Sequence, residues 1–454
     1  MRSTTTLLVA GLAVAAGTLV PVQGSRPRRA QAPVVLISID GLRPDYVLEA
    51  DKYSLRIPNL RRFVQEGVYA TAVRGVLPTV TYPSHTTLIT GASPARHGII
   101  ANTTFDPLQK NDGGWYWYAR DIRVPTLWDV AKQAGLVVAS IHWPVSVGAD
   151  VQYNIPQIWR RGTPDDRKLL AALSSPDLLP RLEQELGPYA DGIDESIEGD
   201  ENRARFAARL FEIVQPDLMT AYFTALDHEQ HATGPHTPTA HATLERIDAL
   251  LGRLMRVVDS ASQRRARFVI VSDHGHLSTD RELAPLTEFR RRGWLKYATD
   301  TSTAPTEWRA TLWSSTGSGA VVLKDSGDAK LRAEVGQYLR ELAADTAHGI
   351  DGILPPDSAS RIGGFPGAAW VVSMRNPYRL STRSTGAVLA PARSSGTHGF
   401  SPDLPGIDAA FFALGPAIPK AQPLGRIDMR AIAPTIARML GVALAAAEVK
   451  PLTW

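Results

Sequence analysis

Val34-Val35-Leu36-Ile37-Ser38-Ile39 runs straight into Asp40-Gly41-Leu42-Arg43, and the reading of the whole chain starts from this stretch. A short β-branched run that is apolar on both faces is a strand covered from both sides, as in a parallel sheet between layers of helices. Residues 137–141, 218–224 and 268–272 repeat the pattern, and 409–414 is a later candidate. Helical patterns lie between them. Within 242–260, Leu244, Ile247, Leu251, Leu254 and Val258 fall at helical spacing. Residues 125–135 and 434–441 open with Pro and close with Gly, as helices often do. This alternation predicts an α/β fold with a parallel-rich central sheet and helices on both faces.

Three of these strands run into aspartates: Asp40, Asp227 and Asp273. Open parallel sheets bind ligands beyond the carboxyl ends of their strands. One such Asp is ordinarily a cap or turn residue; three at one edge, with histidines beside them, point to a metal centre. Asp227 and His231 are four apart, so one helical turn can aim both at one ion. Asp273 and His274 are adjacent, so they diverge and can serve two neighbouring ions. The chain has no cysteine, which excludes thiolate zinc sites, iron–sulfur clusters, disulfides and a cysteine nucleophile. Mixed Asp and His donors suit zinc, with manganese or iron as alternatives. His85, His97, His142 and His348 read as structural, and His228, His236 and His276 are not assigned as ligands. The segment from Leu77 to Leu88 reads as a loop that enters a helix around Pro83. A hydroxyl there faces the positive end of the helix dipole, which favours an alkoxide. Spacing leaves Thr79, Thr81 and Ser84 open as the nucleophile, and Thr81 could equally be an N-cap.

The 454 residues are 44% apolar and 21% charged, which excludes a disordered or collagen-like chain. The net charge of +4 rests on Arg2, Arg26, Arg28 and Arg29, in a stretch without acids. The remainder is neutral, so no nucleic-acid-binding surface is expected. A basic start, an apolar run over 7–22 and small residues after it give residues 1–32 the layout of a secretory signal peptide. The run is short for a membrane span, so an exported protein, periplasmic or extracellular and free of the membrane after cleavage, is expected. Residues 284–392, rich in Trp and Pro and weaker in periodicity, read as an insertion or cap. The catalytic core is then 33–283 with 393–454.

The ordered set of motifs resembles the alkaline phosphatase superfamily and, within it, the type I phosphodiesterase/nucleotide pyrophosphatase family. The matching segments are 38–43, 78–91, 97–102, Trp143-Pro144, 222–235, 272–275 and Thr397-His398-Gly399. The resemblance implies an alkaline-phosphatase-like sandwich and two metal ions, Zn2+ in the first instance. One would be held by Asp40, Thr81, Asp273 and His274, the other by Asp227, His231 and His398. It makes Thr81 the nucleophile, forming a covalent phospho-threonine. It makes Asn102 the donor to a non-bridging phosphate oxygen, and Tyr82 and Tyr222 the aromatics flanking the leaving or base group. The expected substrate is a small-molecule phosphoester, a nucleotide among the candidates. Ser84 and Gln230 depart from the usual family residues near the pocket. Arg160 and Arg161 read as surface charge, which favours diester over monoester cleavage. A phosphomonoesterase, a phosphonate hydrolase and an inactive binding protein of the same fold are the competing readings.

Overall fold

Every residue of β1 (Val34–Ile39) is buried, and its side chains alternate between two cores. Val35, Ile37 and Ile39 enter one apolar cluster, Val34 and Leu36 the other. This is why the strand reads as an unbroken apolar run instead of an alternating one. The computed structural model describes residues 32–111, 114–189 and 194–454; the expected leader, through residue 31, lies outside the described residues.

Among the described residues, β1 sits inside an eight-stranded sheet. The other strands are β2 (Val68–Tyr69), β3 (Val138–Ile141), β4 (Tyr153–Ile155), β5 (Leu218–Phe223), β6 (Arg267–Val271), β7 (Phe411–Leu414) and β8 (Gln422–Pro423). Their order is β8-β2-β7-β6-β1-β5-β3-β4. From β6 to β4 all neighbours are parallel. The register sets Ile39 beside Phe223 and Ser38 beside Val271, so three strands end level at one edge. β7 departs from the expected parallel pattern and is antiparallel to both β6 and β2. The reason is topological. The chain leaves β6 at the edge carrying Asp273 and comes back to that same edge at His398. Its next strand must therefore run the other way.

Helices α1 (Thr81–Thr90) and α2 (Leu127–Gln133) cover one face of the sheet. Helices α3 (Ile197–Val214), α4 (Ala225–Thr233) and α5 (Pro238–Ala261) cover the other. Helix α6 (Ile432–Leu440) returns to the first face. The five apolar residues read from the sequence in α5 are all buried. Two starts differ in detail from the Pro–Gly expectation. Thr126 caps α2 in a reciprocal pair with Asp129, leaving Pro125 outside, and α6 begins two residues before Pro434.

Between β6 and β7 the chain builds a four-stranded antiparallel sheet. Its spatial order is Ala310–Ser314, Ser318–Leu323, Trp370–Met374, Ile350–Leu354. Helix Ala329–Ala344 backs this sheet through Leu331, Val335 and Leu339. On its other side Ala320, Phe365 and Val371 pack on Leu77, in the loop that enters α1.

His97 is buried with both ring nitrogens engaged, Nδ1 by the Ile99 N–H at 3.1 Å and Nε2 by the Thr87 hydroxyl at 3.1 Å. Burial holds its pKa at about 3, against an ordinary 6.5. Between those values the unfolded chain binds a proton that the folded chain does not, so stability falls as pH drops through that window. Scanning calorimetry from pH 7.5 to 4.5 should show Tm falling for the native protein and falling less steeply for His97→Gln. Equal slopes would remove His97 from the account.

Candidate metal centre

Asp40 lies one residue beyond β1, Asp273 two beyond β6, and Asp227 at the start of α4 just beyond β5. Level strand ends thus deliver three carboxylates to one place. The Asp40 N–H donates to Phe223 O at 2.9 Å, stitching the first two strand ends together. Gly41 makes the turn with φ +66. A Cβ there would lie 2.8 Å from Gln230 Nε2 and 3.2 Å from Asp227 Oδ1, so glycine is required by both conformation and space. Gln230 is a bracket here and not a pocket residue. Fully buried, it donates to Gly41 O at 3.1 Å and accepts from the Tyr46 hydroxyl at 3.0 Å.

Two sets of donor atoms form. In Asp40–Asp273–His274 and in Asp227–His231–His398 the ligand-type atoms lie within 4.8 Å of one another, and Asp227, His274 and His276 form a third set that links them. Within them His274 Nε2 is 3.1 Å from Asp273 Oδ2 and 3.4 Å from Asp40 Oδ1. His231 Nε2 is 3.2 Å from Asp227 Oδ2, and His398 Nε2 is 3.9 Å from Asp227 Oδ1. The His274 and His398 rings stack at 3.7 Å.

The imidazoles are oriented from behind. Each of three donates Nδ1–H to a backbone carbonyl: His231 to Gly396 at 3.0 Å, His274 to Gly275 at 3.1 Å, His398 to Thr79 at 3.1 Å. A carbonyl only accepts, so in the neutral ring Nε2 carries a lone pair, and that lone pair faces carboxylates. Asp40 Oδ1, Asp227 Oδ1, Asp273 Oδ2 and His274 Nε2 are all buried without a hydrogen-bond partner. Acceptors turned on acceptors in the interior are costly unless a cation sits among them. The donor set therefore fits two divalent ions. Without them burial, reinforced by Asp273 and Asp227, raises the Asp40 carboxyl well above its usual range. Burial opposes ionisation of Asp227 too, yet His231, His276 and His398 hold it well below.

Thr81 is the first residue of α1, the N-cap is Val80, and no side chain of that pair caps the helix. The N-cap alternative for Thr81 is thereby removed. The cap comes from a distance: Asn102 Oδ1 accepts the Tyr82 N–H at 2.9 Å, leaving the Asn102 NH2 group as a donor beside the helix start. His85 lies under the turn. Its Nδ1 donates to Thr81 O at 2.8 Å, its Nε2 is 2.9 Å from Ser38 Oγ, and burial holds its pKa at about 4. It is a structural histidine, though it borders Asp273 at 3.6 Å.

Tyr82 and Tyr222 are both buried, 1% and 2% exposed. Tyr82 packs on Trp115 and Trp117 and meets Gln157 Oε1 through its hydroxyl at 2.9 Å. Tyr222 donates its hydroxyl to Asp40 Oδ2, from inside the core. One residue was missed. His276 is buried with Nδ1 3.0 Å from Asp227 Oδ1, and its ring is 4.6 Å from His231. Its signal was the alternate-residue repeat in Asp273-His274-Gly275-His276. His228 instead meets Glu195 near the surface, and His236 stacks between Tyr46 and Tyr53.

The segment between β6 and β7 holds the last histidine. Gly317 N–H and the Thr316 hydroxyl both donate to His398 O, at 3.0 and 2.6 Å, and Ser318 Oγ donates to Gly399 O at 2.6 Å. A Cβ on Gly317 would lie 2.4 Å from Phe400 N. Gly317→Val should therefore displace the His398 loop and lower zinc affinity of one site by about 10- to 100-fold, the usual cost of losing a ligand's outer support. Competition titration with a chromophoric chelator measures this; unchanged affinity in folded protein would show that the loop is held elsewhere.

Comparison with known proteins follows the same outline. The family described as "Type I phosphodiesterase / nucleotide pyrophosphatase" matches residues 34–358. Ectonucleotide pyrophosphatase/phosphodiesterase family member 3 of Mus musculus is 27% identical over 259 residues, 54% of this chain and 25% of that protein. Member 7 of Homo sapiens is 27% identical over 304 residues, 64% of this chain and 58% of that protein. The chain thus spans about a quarter of the length of the member 3 relative it matches. A structure of murine ectonucleotide pyrophosphatase/phosphodiesterase 5, an inactive variant in complex with AMP, superposes with a TM-score of 0.65 at 20% identity. It covers 91% of this chain and 96% of that one. The fold is accordingly alkaline-phosphatase-like.

Proposed function

The chain belongs to the type I phosphodiesterase/nucleotide pyrophosphatase family, and from that premise we propose that it is an exported hydrolase of phosphodiester or phosphoanhydride bonds acting through Thr81. The observation that carries this reading is the set of buried acceptors, Asp40 Oδ1, Asp227 Oδ1, Asp273 Oδ2 and His274 Nε2, turned towards one another without partners. Asp40, Thr81, Asp273 and His274 would hold one divalent ion, and Asp227, His231 and His398 a second, zinc in the first instance. When bound, such a pair favours the alkoxide of an attacking hydroxyl and offsets charge on a departing oxygen.

The chain's own residues do the rest. Thr81 opens α1, where the aligned peptide dipoles favour negative charge on its oxygen. Thr81 Oγ1 loses its proton to solvent and attacks phosphorus, the bond from phosphorus to the leaving oxygen breaks, and that oxygen departs with the electron pair. Water then attacks phosphorus and gives up a proton, the bond to Oγ1 breaks, and Oγ1 takes up a proton to restore the Thr81 hydroxyl. The Asn102 NH2 group donates to a non-bridging oxygen throughout, because its own oxygen is committed to the helix start. The His231, His274 and His398 rings keep one tautomer through both halves, since their Nδ1 protons are tied to carbonyls. Arg160 and Arg161 are exposed, and Arg43 is engaged with Asp45 and with His276 O. A monoester dianion would need such a cation, so the reading favours diesters. Residues 284–392 act as the cap that positions His398.

Export is supported by the apolar run over 7–22; among the described residues no helix is long and apolar enough to cross a membrane. Amino-terminal sequencing of the mature protein should start between residues 23 and 33.

Thr81→Ala should lower turnover of bis(p-nitrophenyl) phosphate by at least about a thousandfold, as loss of a nucleophile does, with zinc content by atomic emission largely retained because the carboxylate and imidazole donors remain. Near-native turnover would exclude Thr81 as nucleophile. Dialysis of the native protein against a chelator should abolish turnover, and added zinc should restore it; activity surviving full removal of metal would overturn the metal assignment.

A further inference from the structure

The interior also holds a charge pair outside the metal centre. Asp200 and Arg203 lie one turn apart in α3, 0% and 2% exposed, with Arg203 Nη1 2.6 Å from Asp200 Oδ1. Burying two full charges is costly, and an apolar pair of similar volume is often as stable. Stability alone therefore does not account for the pair.

What the pair touches is the start of α4. Both Asp200 oxygens accept from the Thr224 N–H, at 3.0 and 3.1 Å, and Oδ2 also accepts from the Ala225 N–H at 2.9 Å. Thr224 is the N-cap of α4, and its own side chain caps nothing. Its hydroxyl instead accepts from Arg203 Nη1 at 3.1 Å. Arg203 is held in turn by Asp194 O, ahead of α3. The turn from β5 into α4 is thus clamped at the N–H and the hydroxyl of one residue. The clamping carboxylate also lies at the positive end of the helix dipole, where negative charge is favoured.

Two donors of one set are carried by this helix. Asp227 is three residues and His231 seven residues beyond Thr224. Four residues of helix separate them by about 6 Å along the axis. A tilt of α4 by about 10° shifts one against the other by about 1 Å, whichever end pivots. Ligand distances at a metal are specified to about 0.2 Å. His398 arrives on a separate loop and does not follow α4, so the direction of this helix decides whether the three donors converge.

We propose that the Asp200–Arg203 pair is a positioning device for the second ion, setting the direction of α4 so that Asp227 and His231 meet His398. The inference rests on the proposed two-ion reading, and its test reads metal binding and not turnover. Metal-free protein is titrated with zinc against a chromophoric chelator, which resolves the two affinities. Asp200→Ala should weaken one ion by about 10- to 100-fold, the usual cost of losing a ligand's outer support, and leave the other within about threefold. Asp200→Asn keeps one acceptor oxygen and should fall between native and Asp200→Ala; it decides the matter if Asp200→Ala does not fold. Added to His231→Ala, either substitution should cost less than about threefold, because the site it serves is already broken; added to Asp40→Asn, it should keep its full effect. The visible spectrum of cobalt-loaded Asp200→Asn should differ from native in the bands of one ion only. Equal weakening of both ions, as a general loosening of the fold gives, unchanged affinities in the folded variants, or a full effect that persists in His231→Ala would each overturn the positioning role. A native protein that binds no zinc is a separate result: it removes the two-ion reading itself, and the positioning role with it.

Discussion

Three carboxylates and four imidazoles meet in the interior at one edge of the central sheet, and their free acceptor atoms point at one another. Leaving such groups unpaired in the interior is costly. Much of the surrounding architecture makes sense as the means of enforcing that encounter. The parallel register levels three strand ends, Gly41 lets β1 turn away without striking Asp227, and Tyr222 holds one oxygen of Asp40 from beneath.

Orientation matters as much as proximity. An imidazole presents a lone pair only when its other nitrogen keeps the proton, and here the protein settles that with backbone carbonyls. Those carbonyls come from separate parts of the chain. Gly275 is local to its histidine, while Thr79 and Gly396 reach theirs across more than a hundred residues. The Thr79 contact also binds the two functional parts together, since the loop that delivers Thr81 orients His398. The antiparallel sheet between β6 and β7 completes this bracing from the opposite side.

Family membership and the sandwich fold were legible in the chain because their signals are local. Strand runs, helical spacing and Asp-His-Gly steps each lie within a few residues. The direction of β7 was not legible, because it depends on where a long excursion re-enters the sheet. The burial of Tyr82 and Tyr222 was not legible for a related reason. An aromatic beside a reactive residue looks available in a list of residues, yet Trp115, Trp117 and Trp159 fill the space over one ring and the core encloses the other. His276 was passed over because the sequence does not say which way alternate residues face once Leu277–Ser278 pairs with Gly396–Thr397.

By itself the sequence determined which chemical groups this protein owns and the strand ends that carry them, since composition and short-range periodicity act within one element. The tertiary structure decided which atoms face which: the inward lone pairs, the remote cap from Asn102 and the closed face at Tyr82. Those depend on contacts between segments far apart in the chain, and a side chain's surroundings are set by what packs against it, which no single stretch of sequence encodes.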